Sequence, residues 1–480
     1  MGIITITFIA YLVLILVIGF ITSRQTKNIK DFALGGNRLG PVVIAFSERA
    51  SGESAWLIVG LPGAALMAGL LELWTVVGCV TGIILSWIII AKPLRRITEQ
   101  YGALTLPELL AKRFNDEDGT IRWLSSLIIT FFFTFYVAAQ FSGAGKVLHV
   151  TFNLTHMQGM VIGAVIIICY TILGGFLAVA WTDLVQGIIM IGTLVILPLT
   201  ALVELPSVVG SAPIMDWSTI FGSQIGWGAI IAAIGGLSWG LGYLGQPHLV
   251  ARYMAINSVK NIGISRRIAI AWAVPAFFGS LFIGLLGARL LSAGFFLVDG
   301  RPIHILSDPE QLMPLMATHL LNPWLAGVLI SGAIAAMMST ADSQLLVSTT
   351  ILTEDVVGKW YQKKNRTINY LALGRVFTLL IGLVAFIFAW RSTNLVFEMV
   401  SYAWSGLGAS FGPAIVLTLW WRKTTKQGVV AGMITGAVTT VIWSNIPILQ
   451  QVITERFTSF ILAFAAVVIV SILTSSRNEK

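Results

Sequence analysis

Apolar runs of about 18 residues or more recur from one end of this 480-residue chain to the other, and each is long enough to cross a hydrocarbon core of roughly 30 Å. A soluble core cannot hide that much apolar length. With 56 % hydrophobic and only 11 % charged residues and a mean hydropathy of +0.88, the chain reads as an all-α polytopic membrane protein. About thirteen spans are expected, at 3–22, 40–69, 72–94, 122–148, 157–175, 180–203, 225–252, 267–292, 318–345, 369–390, 394–421, 427–446 and 456–475. The first run, Ile3 to Ile21, has neither a basic flank before it nor a small-residue cleavage site after it, so it is expected to be a retained helix rather than a signal peptide.

Charge then orients the spans. The formal net charge of +9 gathers in alternate loops rather than on one face, which argues for the positive-inside rule and against a nucleic-acid partner. The loops after odd-numbered spans hold Arg24, Lys27, Lys30 and Arg38; Arg95, Arg96, Lys112 and Arg113; Arg252, Lys260, Arg266 and Arg267; Lys359, Lys363, Lys364 and Arg366; Arg422, Lys423 and Lys426; and Arg477 and Lys480. Opposite loops are neutral or acidic, with Glu204, Asp216, Asp299, Asp308 and Glu310. An inner (plasma) membrane protein with its amino terminus outside and its carboxyl terminus in the cytoplasm is expected. Leu104 to Arg113 is expected to form a short interfacial helix, and Phe295 to Met316, the longest outside loop, is a candidate lid. Cys79 and Cys169 lie in apolar runs and provide no disulfide framework.

One stretch breaks the apolar pattern at membrane depth. Between Pro41–Phe46 and Trp56–Ala68 lies Ser47-Glu48-Arg49-Ala50-Ser51-Gly52-Glu53-Ser54-Ala55, with three ionisable side chains among small residues. A charge in a span costs roughly 2.5–3.5 kcal/mol on insertion scales, so such groups face protein or a wet cavity and mark function by default. Small residues let the helix unwind, which is tolerated where the backbone lines a cavity. The plainer reading is a polar kink whose Glu–Arg pair holds helices together. Five spans later comes a second interruption, Gly235-Gly236-Leu237-Ser238-Trp239-Gly240-Leu241-Gly242-Tyr243-Leu244-Gly245-Gln246-Pro247-His248. Taken alone its glycines suit close helix packing. Paired interruptions at matching positions of two halves point instead to a midplane transport site between inverted repeats. Spans two to six (40–203) and seven to eleven (225–421) are the expected repeats, with 3–22 leading and 427–475 supplying two terminal helices of a single transporter domain.

Across nearly its whole length the chain resembles the sodium:solute symporter family, and most closely the bacterial sodium/proline symporters within it. The resemblance is carried by Leu34-Gly35-Gly36, Gly60-Leu61-Pro62-Gly63-Ala64, Leu104-Thr105-Leu106-Pro107-Glu108, Gly174 to Asp183, Trp239 to Tyr243, Gly245 to His248, Met338-Ser339-Thr340, Thr353-Glu354-Asp355 and Ser401 to Trp404. It implies the five-plus-five inverted-repeat fold with broken spans two and seven. It implies a Na⁺ site where span two meets span nine: carbonyls of Ala50 and Glu53 with Ala336, Ser339 and Thr340, whose i, i+3, i+4 spacing shares one helix face. For Ser339 and Thr340 the alternative is back-bonding to a carbonyl one turn earlier. For solute binding it implicates Tyr136, Trp239, Tyr243 and Pro247, with Ser54 and Ala55 presenting backbone amides at the break and Gln140 one turn from Tyr136.

The chain departs from those relatives at one telling place. Where sodium/proline symporters usually carry Asp-Met-Ser-Gly, it has Gly52-Glu53-Ser54-Ala55. Glu53 has three open roles: a carboxylate for the cation, a partner for Arg49, or a group that binds and releases a proton. Asp183, Asp342 and Ser343 form a candidate second cation or proton site if they converge; otherwise Asp342 faces the inward vestibule. The expected function is a secondary symporter taking up a small solute, foremost L-proline, with Na⁺ as coupling ion. Proton coupling, another small amino acid or carboxylate, and a membrane solute sensor are the alternatives. No nucleic-acid or obligate protein partner is expected beyond the solute and the lipid bilayer. No enzyme activity is expected: HExxH and GxxxxGK[ST] do not occur, and the GxSxG matches at Gly236–Gly240 and Gly408–Gly412 lie inside apolar spans.

Overall fold

The computed structural model describes residues 2–25, 29–209, 215–298, 300–359, 361 and 369–478. Lys27, Asp299, Lys363, Lys364, Arg366 and Lys480, named above as loop charges, lie outside the described residues. Helix occupies each of the expected spans. Span 1 is Ile3–Ser23, span 2 runs over 41–68, span 3 over 73–101, span 4 is Thr120–Phe152, span 5 His156–Leu173 and span 6 Phe176–Val209. Span 7 runs over 227–255, span 8 is Ile262–Ser292, span 9 Pro323–Ile351, span 10 Tyr370–Arg391, span 11 Val396–Trp420, span 12 Lys426–Asn445 and span 13 Glu455–Asn478. Among the described residues nine helical runs are long and apolar enough to cross a membrane, or ten when a bent pair within span 7 counts as one crossing. One of the nine, Pro41–Tyr101, contains both span 2 and span 3, which Gly69 divides at φ 60° and ψ −136°. The expected number of crossings is thus supported in outline.

Local chemistry sets several boundaries. Thr155 starts span 5 with a reciprocal cap: its hydroxyl accepts from the Gln158 N–H at 3.2 Å and the Gln158 side chain accepts from the Thr155 N–H at 2.9 Å. Asn322 caps span 9 at the Leu325 N–H, 3.0 Å away, with Pro323 following in the first turn. The surface helix expected at Leu104–Arg113 is Leu106–Arg113, opened by Thr105, whose hydroxyl accepts from the Glu108 N–H at 3.1 Å. The candidate lid carries a two-stranded hairpin, Leu297–Val298 with Arg301–Pro302. Its Glu310, 1 % exposed, takes the Lys146 ammonium at 2.5 Å and the Val396 and Phe397 N–H groups at 2.9 Å each. The loop is therefore pinned to the start of span 11, where unsatisfied helix donors favour a carboxylate.

Both interruptions are real breaks. Span 2 departs from helix at Ser54, φ 24° and ψ −168°, and resumes through a π turn at Trp56–Gly60. Span 7 bends by 42° between Trp227–Gly242 and Pro247–Ala255. What lets span 7 sit so deep is the absence of side chains: a Cβ on Gly82 of span 3 would lie 2.3 Å from the Gly240 carbonyl oxygen, and one on Gly240 would lie 2.2 Å from that of Gly78. Backbone there packs on backbone, as small residues allow in membranes. Gly240→Leu is expected to lower the thermal unfolding midpoint of the purified protein by an amount matching about 3 kcal/mol or more, because the obstacle is backbone rather than a movable side chain; an unchanged midpoint would refute the close packing.

Candidate functional site

The Ser54 break creates the site. On its span 9 side, Ser339 Oγ donates to the Ala50 carbonyl at 2.9 Å, with the Ala336 carbonyl 3.1 Å away, and Thr340 Oγ1 donates to the Ser51 carbonyl at 2.9 Å. The two adjacent hydroxyls thus reach across to the turn before the break. Ala50, Ala336 and Ser339 come together as the resemblance implied, and Thr340 lies beside them. Glu53 points elsewhere: its backbone carbonyl accepts from the Trp56 N–H, and its carboxylate takes Arg49 Nη1 at 2.6 Å and the Tyr243 hydroxyl at 3.0 and 3.2 Å. Of the three open roles, pairing with Arg49 is the one present in this conformation.

Arg49 holds a second carboxylate. Its Nε donates to Glu48 at 2.6 Å, and Nη2 makes a further short contact with the same group. Trp87 of span 3 and Tyr253 of span 7 complete the shell of Glu48 at 3.2 and 3.1 Å. Glu48, Arg49 and Glu53 are all fully buried.

Beyond the break lies a cluster of packed aromatic rings. Ala55 N–H donates to the Gln140 side chain at 2.9 Å, and the Tyr136 hydroxyl reaches Ser54 Oγ at 3.5 Å, so one turn of span 4 faces both break residues. Trp239 stacks on Trp56 with centroids 4.7 Å apart and an interplanar angle of 14°. Trp404 of span 11 donates to the Trp239 carbonyl at 3.0 Å and meets Tyr243 edge-on at 4.7 Å. On the other side of Trp239 the guanidinium of Arg456, from span 13, lies 4.7 Å above the ring and bonds the Gly235 carbonyl at 3.2 Å. Arg456 and its neighbour Glu455 also line a separate cavity of about 780 Å³ with Ser401, Tyr402 and Glu398. Pro247 opens the second half of span 7 and stands apart, lining a small recess with Ala251 and Thr350.

The second group does converge. Asp183 Oδ2 accepts from Ser47 at 2.6 Å, Ser51 at 3.1 Å and Arg252 Nη2 at 3.2 Å. Ser343 lies 2.9 Å from Ser51, contacts the same guanidinium and donates to Asp342 at 3.2 Å. Asp342 is buried rather than facing a vestibule, and Asp183 Oδ1 and Asp342 Oδ2 have no partner among the described residues. Arg252 corrects the loop reading given above: it is fully buried on Pro247–Ala255. Its place one turn after His248, inside a buried helix, was the signal available. Trp56 and Ser51 gave less warning, because an apolar ring and a small hydroxyl do not stand out within a span.

This arrangement can be set beside known proteins. Residues 32–436 match the model of the sodium:solute symporter family. The chain belongs to the sodium:solute symporter family. It is 37 % identical over 470 residues to the high-affinity proline transporter PutP of Bacillus subtilis, covering 97 % of each chain. It is 36 % identical to the sodium/proline symporter of Escherichia coli, covering 98 % of this chain and 92 % of that one. Among solved structures, a Na⁺-coupled sialic acid symporter superposes with a TM-score of 0.75 at 16 % identity over 99 % of this chain and 98 % of that one. A complex of MhsT with L-phenylalanine gives 0.56 at 13 % identity over 91 % and 98 %. These two establish likeness of fold alone. The chain is accordingly an all-α multi-pass transporter, and Na⁺ is the coupling ion its family implies.

Arg252→Met is expected to destabilise the protein by about 3–5 kcal/mol, since it leaves Asp183 buried without its guanidinium, whereas Arg252→Met with Asp183→Asn recovers much of the loss. Thermal unfolding of the two variants beside the wild type decides; equal losses would show that the pair is not coupled.

Proposed function

We propose that the chain carries L-proline into the cell in symport with Na⁺, across the plasma membrane, with its amino terminus outside and its carboxyl terminus in the cytoplasm. The observation that carries this reading is the hydroxyl–carbonyl clamp of Ser339 and Thr340 on Ala50 and Ser51, laid across a broken span whose other face meets a cluster of aromatic rings. Oxygen donors of this kind suit a hard monovalent cation. Na⁺ takes up the Ala50 and Ala336 carbonyls with the hydroxyls of Ser339 and Thr340, bracing span 2 against span 9. The solute uses what lies past the break: its carboxylate meets the Ala55 amide and Gln140, and its apolar ring is held among Tyr136, Trp239 and Tyr243. Relatives named for proline transport or sodium/proline symport over nearly the full chain support the choice of solute.

Charge supports cation cargo as well. Glu48, Glu53, Asp183 and Asp342 are four buried carboxylates facing two buried guanidiniums, Arg49 and Arg252. An interior with that excess favours an added positive charge. The unpartnered oxygens of Asp183 and Asp342 favour a second cation, Na⁺ or a proton, beside Ser343. Spans 2–6 and 7–11 act as the two repeats that rock around the site, with release inside where Na⁺ is scarce. No bond of the solute is made or broken.

The test is uptake of radiolabelled L-proline by proteoliposomes under an inward Na⁺ gradient, an inward proton gradient, or neither. Accumulation driven by Na⁺ is expected; accumulation driven by protons alone would replace the coupling ion, and no proline signal under any gradient would remove proline as solute. In the same assay, Ser339→Ala with Thr340→Ala should raise the half-saturating Na⁺ concentration about tenfold or more, the equivalent of at least 1.4 kcal/mol. Trp239→Ala should raise the half-saturating proline concentration while leaving Na⁺ dependence in place, and unaltered proline affinity would sink its role.

A further inference from the structure

Away from the transport site, a cavity of about 380 Å³ lies between the lower half of span 3 and the start of span 8. Lys92, Arg96, Lys260 and Arg266 line it, and no acidic residue does. None of the four side-chain cations has a hydrogen-bond or ion-pair partner among the described residues. Two other basic groups at the same end of the spans are engaged: Arg95 bonds the Ile256 carbonyl at 2.8 Å, and Lys112 pairs with Glu108 at 2.9 Å. The floor is the opening turn of span 8, which contains no acidic residue, and at Gly263 the space is open. The N–H groups of that turn add positive potential to the four cations.

The wall gives the ligand a second requirement. It is formed by Trp87 and Ile88, in the π turn Ser86–Ile90 of span 3, with Val259 and Ile262 opposite. Ile88 and the flanking Ile264 are 49 % and 40 % exposed, so the cavity leads onto an apolar, bilayer-facing surface. A free inorganic anion would use the cations and leave this surface idle. A phosphodiester headgroup with acyl chains uses both. We propose that the cavity binds the headgroup of an anionic phospholipid, with its phosphate among Lys92, Arg96, Lys260 and Arg266 and its chains along Ile88 and Ile264. Basic pockets between membrane helices have the charge for this role. The cavity also touches the transport machinery through one side chain: Trp87 donates from its indole N–H to Glu48 at 3.2 Å. A bound lipid therefore steadies the π turn that positions a donor to the Glu48–Arg49–Glu53 group.

The experiment needs neither Na⁺ nor proline, so its outcome is independent of the symport reading. The purified, delipidated full chain is titrated in detergent with dioleoyl phosphatidylglycerol or dioleoyl phosphatidylcholine and lipid adducts are counted by native mass spectrometry. Phosphatidylglycerol is expected to be retained at least about tenfold more tightly, and replacing all four cations by glutamine (Lys92→Gln, Arg96→Gln, Lys260→Gln, Arg266→Gln) should abolish the preference. Arg96→Lys with Arg266→Lys keeps the charge and should keep the preference. If the fourfold variant does not fold, Arg96→Gln alone is expected to lower the preference about fivefold. Equal retention of both lipids by the wild type, or an undiminished preference in the glutamine variants, overturns the site. Ammonium phosphate added to lipid-free protein separates the sources: phosphate adducts that phosphatidylglycerol fails to displace would overturn a lipid occupant.

Discussion

A backbone group inside a bilayer has no water to turn to, and most of what is distinctive here follows from that. Span 2 stops being helical at Ser54, so donors and acceptors on either side need partners from other spans. Span 9 sends Ser339 and Thr340 to the carbonyls before the break; span 4 sends Gln140 to the amide after it. The break is thus held open by two neighbours at once. The partners that hold it are also groups a cation and a carboxylate can claim, so satisfying the fold and preparing the site are a single arrangement.

The charges around the break obey a second constraint. An isolated ion in this interior would cost several kcal/mol even after relaxation, and each guanidinium is met by carboxylates or hydroxyls at hydrogen-bond distance. The two groups differ in kind. Glu48, Arg49 and Glu53 lie on one helix and bind outward to spans 3 and 7, whereas Asp183 of span 6 and Arg252 of span 7 draw in residues from spans 2 and 9. The first braces span 2 against spans 3 and 7; the second joins span 6 to span 7, so any movement of span 7 against span 6 must reckon with the Arg252 ion pair.

How much of this was legible in the sequence depends on the range of the signal. Span positions follow from apolar length, and the breaks from local composition: polar residues within a run at 47–55, and glycine with proline at 235–247. The face shared by Ala336, Ser339 and Thr340 follows from helical spacing. Which partner a buried charge selects does not, because that depends on contacts between residues far apart in the chain. Glu53 shows the limit: spacing leaves its carboxylate three roles, and only the position of Tyr243, 190 residues later, shows which way it turns. Arg252 shows the same limit in reverse, since a basic residue near the end of a span looks like a loop charge until the helix after Pro247 is seen to be buried.

One consequence concerns the order in which the protein is made. Arg456, which lies over Trp239 and grips the Gly235 carbonyl, comes from span 13, more than 200 residues after Trp239. The other rings of the aromatic cluster precede it in the chain by about 50 residues or more, and chains emerge at about 5–20 residues per second. For several seconds the nascent chain therefore has these rings without the guanidinium over Trp239. The contact over Trp239 forms after the other ring contacts, so a chain that stalls just before residue 456 has those rings without the guanidinium over Trp239.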